Sequence, residues 1–212
     1  MTRTSRHLTI GSLACFAVVT GGWTGLGSVG MTASLPTDSA PLIVRTYDTC
    51  GLSAVALSFA RRTANDILKD VGIAVVWRPC EVLESQTLCG AALAPTEIIV
   101  RTIPSTFSNE PRSLGYSLVD AVQHRGYLST VYADRVEMLA AQTDVNSTIL
   151  LGRTIAHEIG HLLLGTVIHS DRGLMRPFWT RAELKSNKRV DWSFSGREAT
   201  LMRQALAWRA GW

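Results

Sequence analysis

The chain has 212 residues, 46% of them hydrophobic, which is enough for one sizeable core and demands no second domain. The formal charge is +4, and Arg3 and Arg6 lie in a segment expected to be removed, so the remaining excess is too small to argue for a nucleic-acid partner.

Residues 1–33 read as a secretory signal peptide. Arg3 and Arg6 precede an uncharged stretch from Leu8 to Thr37 that ends among small residues. Cleavage after Gly30 or after Ala33 would both leave small residues at the processing site. An uncleaved membrane anchor is the alternative, disfavoured because the second half of the stretch is Gly-rich and only mildly apolar. The expectation is therefore an exported protein, secreted or periplasmic, that meets a membrane only if this segment is retained. Residues 34–212 are expected to form one domain, without internal repeats. Cys50, Cys80 and Cys89 remain after export. Cys80 and Cys89 bound a short loop and are the natural pair, which leaves Cys50 as a buried thiol or a thiolate that visits a metal.

In chain order, "PLIVRTYD" (41–48) reads as a strand before the turn signal "TCG". Residues 53–72 follow as a helix, with Val55, Leu57, Ala60, Ala64, Ile67, Leu68 and Val71 near helical spacing and Gly72 as the stop. "IAVVWRPC" (73–80) and "TEIIVRTI" (96–103) are β-branched strands. From Pro104 to Gly126 the pattern is loop around a short strand at "YSLVDAV". "YLSTVYADRVEML" (127–139) is expected as an edge strand and "QTDVNST" as a loop leading into a helix over 148–165, with Asn146 or Ser147 as its cap. A final amphipathic helix over 195–212 carries Ala199, Leu201, Met202, Ala205, Leu206 and Trp208 as its packing face. Strands and helices in this order give an α+β fold.

The chemistry concentrates in "HEIGHLLLGTVIHS" (157–170). Four residues along a helix is a rotation of about 40° and a rise of about 6 Å, so His157 and His161 share one face and can share one ion. Zinc accepts such nitrogen ligands and keeps one position open in catalytic sites, and Glu158, beside the first ligand, can take a proton from water there. If the helix ran on, His169 would lie about 12 Å beyond His161 and about 80° around the axis. Gly165 can stop the helix and let the chain return His169 to the ion.

With "HEIGH", a following Gly, a third His followed by Ser, and the methionine of "DRGLMRP", this stretch resembles the metzincin zinc endopeptidases, especially their matrixin branch. The resemblance implies a small metzincin-like catalytic domain with a twisted mixed sheet of about four to five strands, an upstream helix, an active-site helix and a C-terminal helix. It implies Zn2+ on His157, His161 and His169, Glu158 as general base in peptide hydrolysis, Met175 in a turn beneath the metal, and a peptide or protein substrate. That substrate would pair with an edge strand, a role falling on "STVYADRV". The family spacing is HExxHxxGxxH, whereas this chain reads HExxHxxxGxxxH, one residue longer on each side of Gly165. Glu183, as in thermolysin-like enzymes, and Asp171 therefore remain rival third ligands. A secreted protein that uses zinc only to brace its fold is the non-catalytic alternative. Tyr127 and Tyr132 are candidate oxyanion donors, and Phe178 and Trp179 are expected in the core.

Overall fold

The computed structural model of the chain describes residues 40–107, 113–186 and 188–211; the expected leader, residues 1–33, lies outside them. Strand β1 (Leu42–Asp48) is followed by helix α1 (Ala54–Lys69), strand β2 (Val75–Pro79), the short helix α2 (Gln86–Gly90) and strand β3 (Glu97–Ile103). Strands β4 (Gly115–Asp120) and β5 (Arg125–Tyr132) form a hairpin, and helices α3 (Ala133–Thr143), α4 (Ser147–Leu164), α5 (Arg181–Lys185) and α6 (Gly196–Arg209) complete the order. The sheet runs β2-β1-β3-β5-β4. β1, β2, β3 and β5 are mutually parallel, and β4 alone is antiparallel, closing one edge. This is the mixed five-stranded sheet with helices expected of a small metzincin-like domain.

One face of the sheet carries the apolar core. Leu42 and Val44 of β1 and Ile98 and Val100 of β3 point into it, as do Leu57, Ala60, Ala64 and Leu68 of α1. Helix α4 lies in this core, packed against α1, β4, β5 and α6. Every residue from Leu150 to Leu163 is buried, including Arg153, Thr154, His157, Glu158 and His161. Burial of ionisable groups costs several kcal/mol unless partners repay it, so a helix this polar inside a core marks the functional element.

Alternation along β1 and β3 sends Arg45 and Glu97 to the opposite face. There the Arg45 guanidinium donates to the carbonyls of Cys89, Ala91 and Ala92 and to Glu97, which also accepts from Arg78 and from the Ala94 N–H. Together with the Cys80–Cys89 disulfide these bonds pin residues 80–96 over that face. Burial alone would raise the Glu97 carboxyl, but the Ala94 N–H and the two guanidinium groups outweigh it and hold it below the usual carboxylate range.

Four expectations change. The stretch 127–139 is not one strand: β5 ends at Tyr132 and α3 begins at Ala133. The β-branched run up to Val131 gives way to helix formers whose residues Val136, Ala140 and Thr143 fall on one buried stripe, and no Gly or Pro marks the junction. Nor is β5 an edge, since it lies between β3 and β4; the free edge on that side belongs to β4. In α6, Ala199, Met202 and Leu206 are buried as expected, whereas Leu201 and Trp208 face outward and Glu198 and Arg209 are buried instead. Arg209 earns its place by donating to the carbonyls of Gly126 and Leu162. Val55, expected on the core face of α1, is exposed in its first turn. Among the described residues no helix is long and apolar enough to cross a membrane.

Candidate metal centre

Helix α4 starts where the Asn146 side-chain oxygen accepts the N–H groups of Thr148 and Ile149, each at 3.0 Å. It ends at Gly165, whose φ of 64° lies in the left-handed region and whose N–H closes on the His161 carbonyl at 3.0 Å. A side chain here would meet more than backbone strain, because a Cβ on Gly165 would lie 2.0 Å from the His124 carbonyl oxygen in the β4–β5 hairpin. The glycine thus both ends the helix and lets the hairpin approach.

Beyond Gly165 the chain turns back and puts the His169 ring beside the two helical imidazoles. Ring centroids are 4.8 Å apart for His161 and His169, 5.3 Å for His157 and His169, and 4.8 Å for His157 and His161. One nitrogen from each ring lies within 4.8 Å of the others. The return loop is tied at several points. The Ser170 N–H donates to the Met175 carbonyl at 2.8 Å, and the Ser170 hydroxyl bonds Glu198 at the start of α6. Met175 is buried and packs beneath α4 against Gly160. Arg176 then clamps the following segment through the carbonyls of Gly173 and Asp191 and through Glu183. The two extra residues around Gly165 are accommodated within the last turn of α4 and this loop.

The orientation of the two helical histidines is fixed by backbone. His157 Nδ1 lies 2.8 Å from the Leu174 carbonyl oxygen and His161 Nδ1 lies 2.8 Å from that of Thr166. A carbonyl only accepts, so each Nδ1 carries the proton and each neutral ring presents a bare Nε2. Those Nε2 atoms face one another at 3.1 Å. Two nitrogen ligands about 2.05 Å from a tetrahedral ion would stand about 3.3 Å apart. Two lone pairs aimed at one point, with a third imidazole alongside, fit a cation. Burial pushes the His157 imidazole down to about 3, helped by the neighbouring His161, and burial pushes His161 down to about 4. His169 is exposed and is lowered by what burial it has. Neutral rings are the ligand form.

Glu158, the residue after His157 on the helix, points toward the edge strand. Its Oε2 lies 2.7 Å from the Ser117 hydroxyl of β4, which is also 2.9 Å from the Glu158 backbone carbonyl oxygen. Burial raises the carboxyl to about 7, against the lowering effect of the Ser117 hydrogen bond. Such a group exchanges a proton near neutrality, which suits a general base.

The rival ligands are used elsewhere or stand apart. The Glu183 carboxylate accepts from the Thr180 N–H at 2.7 Å and hydroxyl at 2.8 Å, capping α5, and pairs with Arg176. The Thr180 backbone bond leads in holding its carboxyl low. Asp171 is exposed on the return loop, and the histidine cluster among the described residues includes neither carboxylate. Cys50 is unpaired at the end of β1, where burial and then the charge of Asp48 push its thiol up to about 11, the reverse of what a metal-visiting thiolate requires. Tyr132 packs against Tyr116 and under the Arg135 guanidinium, while Tyr127 lies under those of Arg125 and Arg209. Trp179 stands edge-on to His157 at 5.7 Å and packs on Trp192, whereas Phe178 is exposed.

Sequence reasoning missed the carbonyls of Thr166 and Leu174 and the Ser117 hydroxyl. The carbonyls carry no residue signature at all. Ser117 gave one faint signal, its place in the alternation of "YSLVD", which says which side chains share a face but not what they face.

No family model matches the sequence, and no curated protein matches it. Among solved structures, the chain is similar to a zinc-dependent peptidase from Methanocorpusculum labreanum, with a TM-score of 0.47 at 16% identity over 76% of this chain and 99% of that one. It is also similar to archaemetzincin from Methanopyrus kandleri, with a TM-score of 0.51 at 15% identity over 81% of this chain and 98% of that one. The second likeness shows that the chain shares the fold of that protein.

Proposed function

We propose that this chain is an exported zinc-dependent endopeptidase of the metzincin kind, matrixin-like in its third histidine followed by Ser and its downstream methionine. The observation that carries this reading is the facing pair of bare Nε2 atoms on His157 and His161, with His169 beside them. The archaemetzincin fold supports it. Zinc bound at these imidazoles would supply Lewis acidity, polarising a peptide carbonyl and making water acidic enough to ionise near pH 7. Glu158 then takes the proton from the attacking water and passes it to the leaving amine nitrogen. Its carboxylate is held beside the edge strand by the Ser117 hydroxyl. A substrate strand would pair with the free edge of β4, which replaces β5 in this role.

The test is hydrolysis of a peptide library by the zinc-loaded protein and by Glu158→Gln. The variant should keep its zinc and lose most turnover; undiminished turnover would sink the mechanism. Unfolding on zinc removal, with no peptide ever cut by the wild type, would instead favour a zinc-braced binding protein.

A further inference from the structure

Strand β4 does more than offer an edge. Its alternation turns Gly115, Ser117 and Val119 inward and exposes Tyr116, Leu118 and Asp120. Both inward residues at its start touch the Glu158 carboxylate. Ser117 donates to Oε2 at 2.7 Å, and a Cβ built on Gly115 would lie 2.8 Å from Oε1 and 2.6 Å from the Thr130 carbonyl oxygen. Gly115 is therefore the residue that lets Oε1 rest against the strand.

We propose that Ser117, together with the bare Cα of Gly115, forms a seat that orients the Glu158 carboxylate, with Ser117 a positioning residue for the proton transfer. The inference rests on the endopeptidase reading above. The terminal torsion of a glutamate is broad and soft, so a buried carboxylate needs a fixed partner to hold one plane. Among the described residues the Ser117 hydroxyl is the side chain that supplies it. The hydroxyl has one proton, and its two acceptors, Oε2 and the Glu158 carbonyl oxygen, belong to the same residue, so either bond keeps Ser117 over the base. Because the seat lies on the strand whose free edge would pair with substrate, base and scissile peptide are referred to one rigid element. A carboxylate seated from the helix side alone would lack that common reference.

The experiment compares Ser117→Ala and Ser117→Thr with the wild type as full chains loaded with zinc. Ser117→Ala should lower kcat by about tenfold or more, with KM and zinc affinity within about twofold, and Ser117→Thr, which keeps the hydroxyl, should recover most of the loss. A kcat within about twofold of wild type in Ser117→Ala overturns the proposal, as does equal loss in both variants accompanied by weaker zinc binding, which would mark a structural role. A readout independent of turnover is the carbon-13 resonance of the Glu158 carboxyl, assigned by its disappearance in Glu158→Gln. It should move in Ser117→Ala and return in Ser117→Thr; an unmoved resonance overturns the seat. If no protein, wild type included, cuts peptide while the resonance moves as expected, the endopeptidase reading fails and the seat is supported.

Discussion

Gly160, the glycine inside "HEIGH", has Met175 packed directly against its Cα: a Cβ at this position would lie 2.6 Å from the Met175 sulfur and 2.7 Å from Cε1 of Phe194. The methionine is fully buried and follows Leu174, whose carbonyl holds His157 Nδ1. Helix, methionine and His157 are thus joined through one contact. Gly160→Ala should force Met175 and the Phe194 ring aside, costing about 1–3 kcal/mol. Zinc affinity should fall with it, because Leu174 moves with Met175. Thermal melting of the metal-free protein and zinc titration check the two effects, and an alanine variant unchanged in both would show that the loop is slack.

Gly165→Ala tests the helix stop. The left-handed conformation and the 2.0 Å approach of the His124 carbonyl act together, so the expected destabilisation is about 2–4 kcal/mol. Thr166, which holds His161 Nδ1, is the next residue, and zinc affinity should drop as well. Urea unfolding with and without zinc separates the two contributions.

The third ligand is tested by comparing His169→Ala with Glu183→Ala. Removing an imidazole from the cluster should weaken zinc binding by more than the 10–100-fold typical of lost supporting bonds. Glu183→Ala should leave zinc binding near wild type and cost about 1 kcal/mol through loss of the α5 cap. Metal content after dialysis against a weak chelator decides the matter, and loss of zinc only in Glu183→Ala would reverse the assignment.

A pH dependence follows from Glu97. Its carboxyl is held low in the folded protein, so the unfolded chain binds the proton more readily. The stabilisation is complete above the unfolded value of about 4.3 and is lost as the pH falls through the lower folded value. Urea midpoints at pH 6 and pH 3 should differ more in the wild type than in Glu97→Gln. At pH 6 that variant should be less stable by about 3 kcal/mol, since the buried Arg45 guanidinium loses its charge partner.

The sequence by itself determined the elements with strong local patterning. The β-branched runs of β1, β2 and β3, the 3.6-residue spacing of α1 and the cap at Asn146 were legible because each depends on neighbours in the chain. The face shared by His157 and His161 and the stop at Gly165 were legible for the same reason, since helix geometry and glycine conformation are local properties.

Tertiary structure decided what depends on distant partners. The boundary at Tyr132 was invisible because strand and helix propensities met there with no breaker, and only pairing with β3 and β4 ends the strand. Which strand lies at the edge is a matter of sheet order, to which no single residue testifies. His169 stands beside the other histidines because of bonds between residues far apart in sequence, Ser170 to Glu198 and Leu174 to His157, whereas Glu183 is held elsewhere by its neighbours Arg176 and Thr180. The spacing of the motif showed that a third histidine could return to the helix; the loop's hydrogen bonds, made to groups outside the motif, set where it goes.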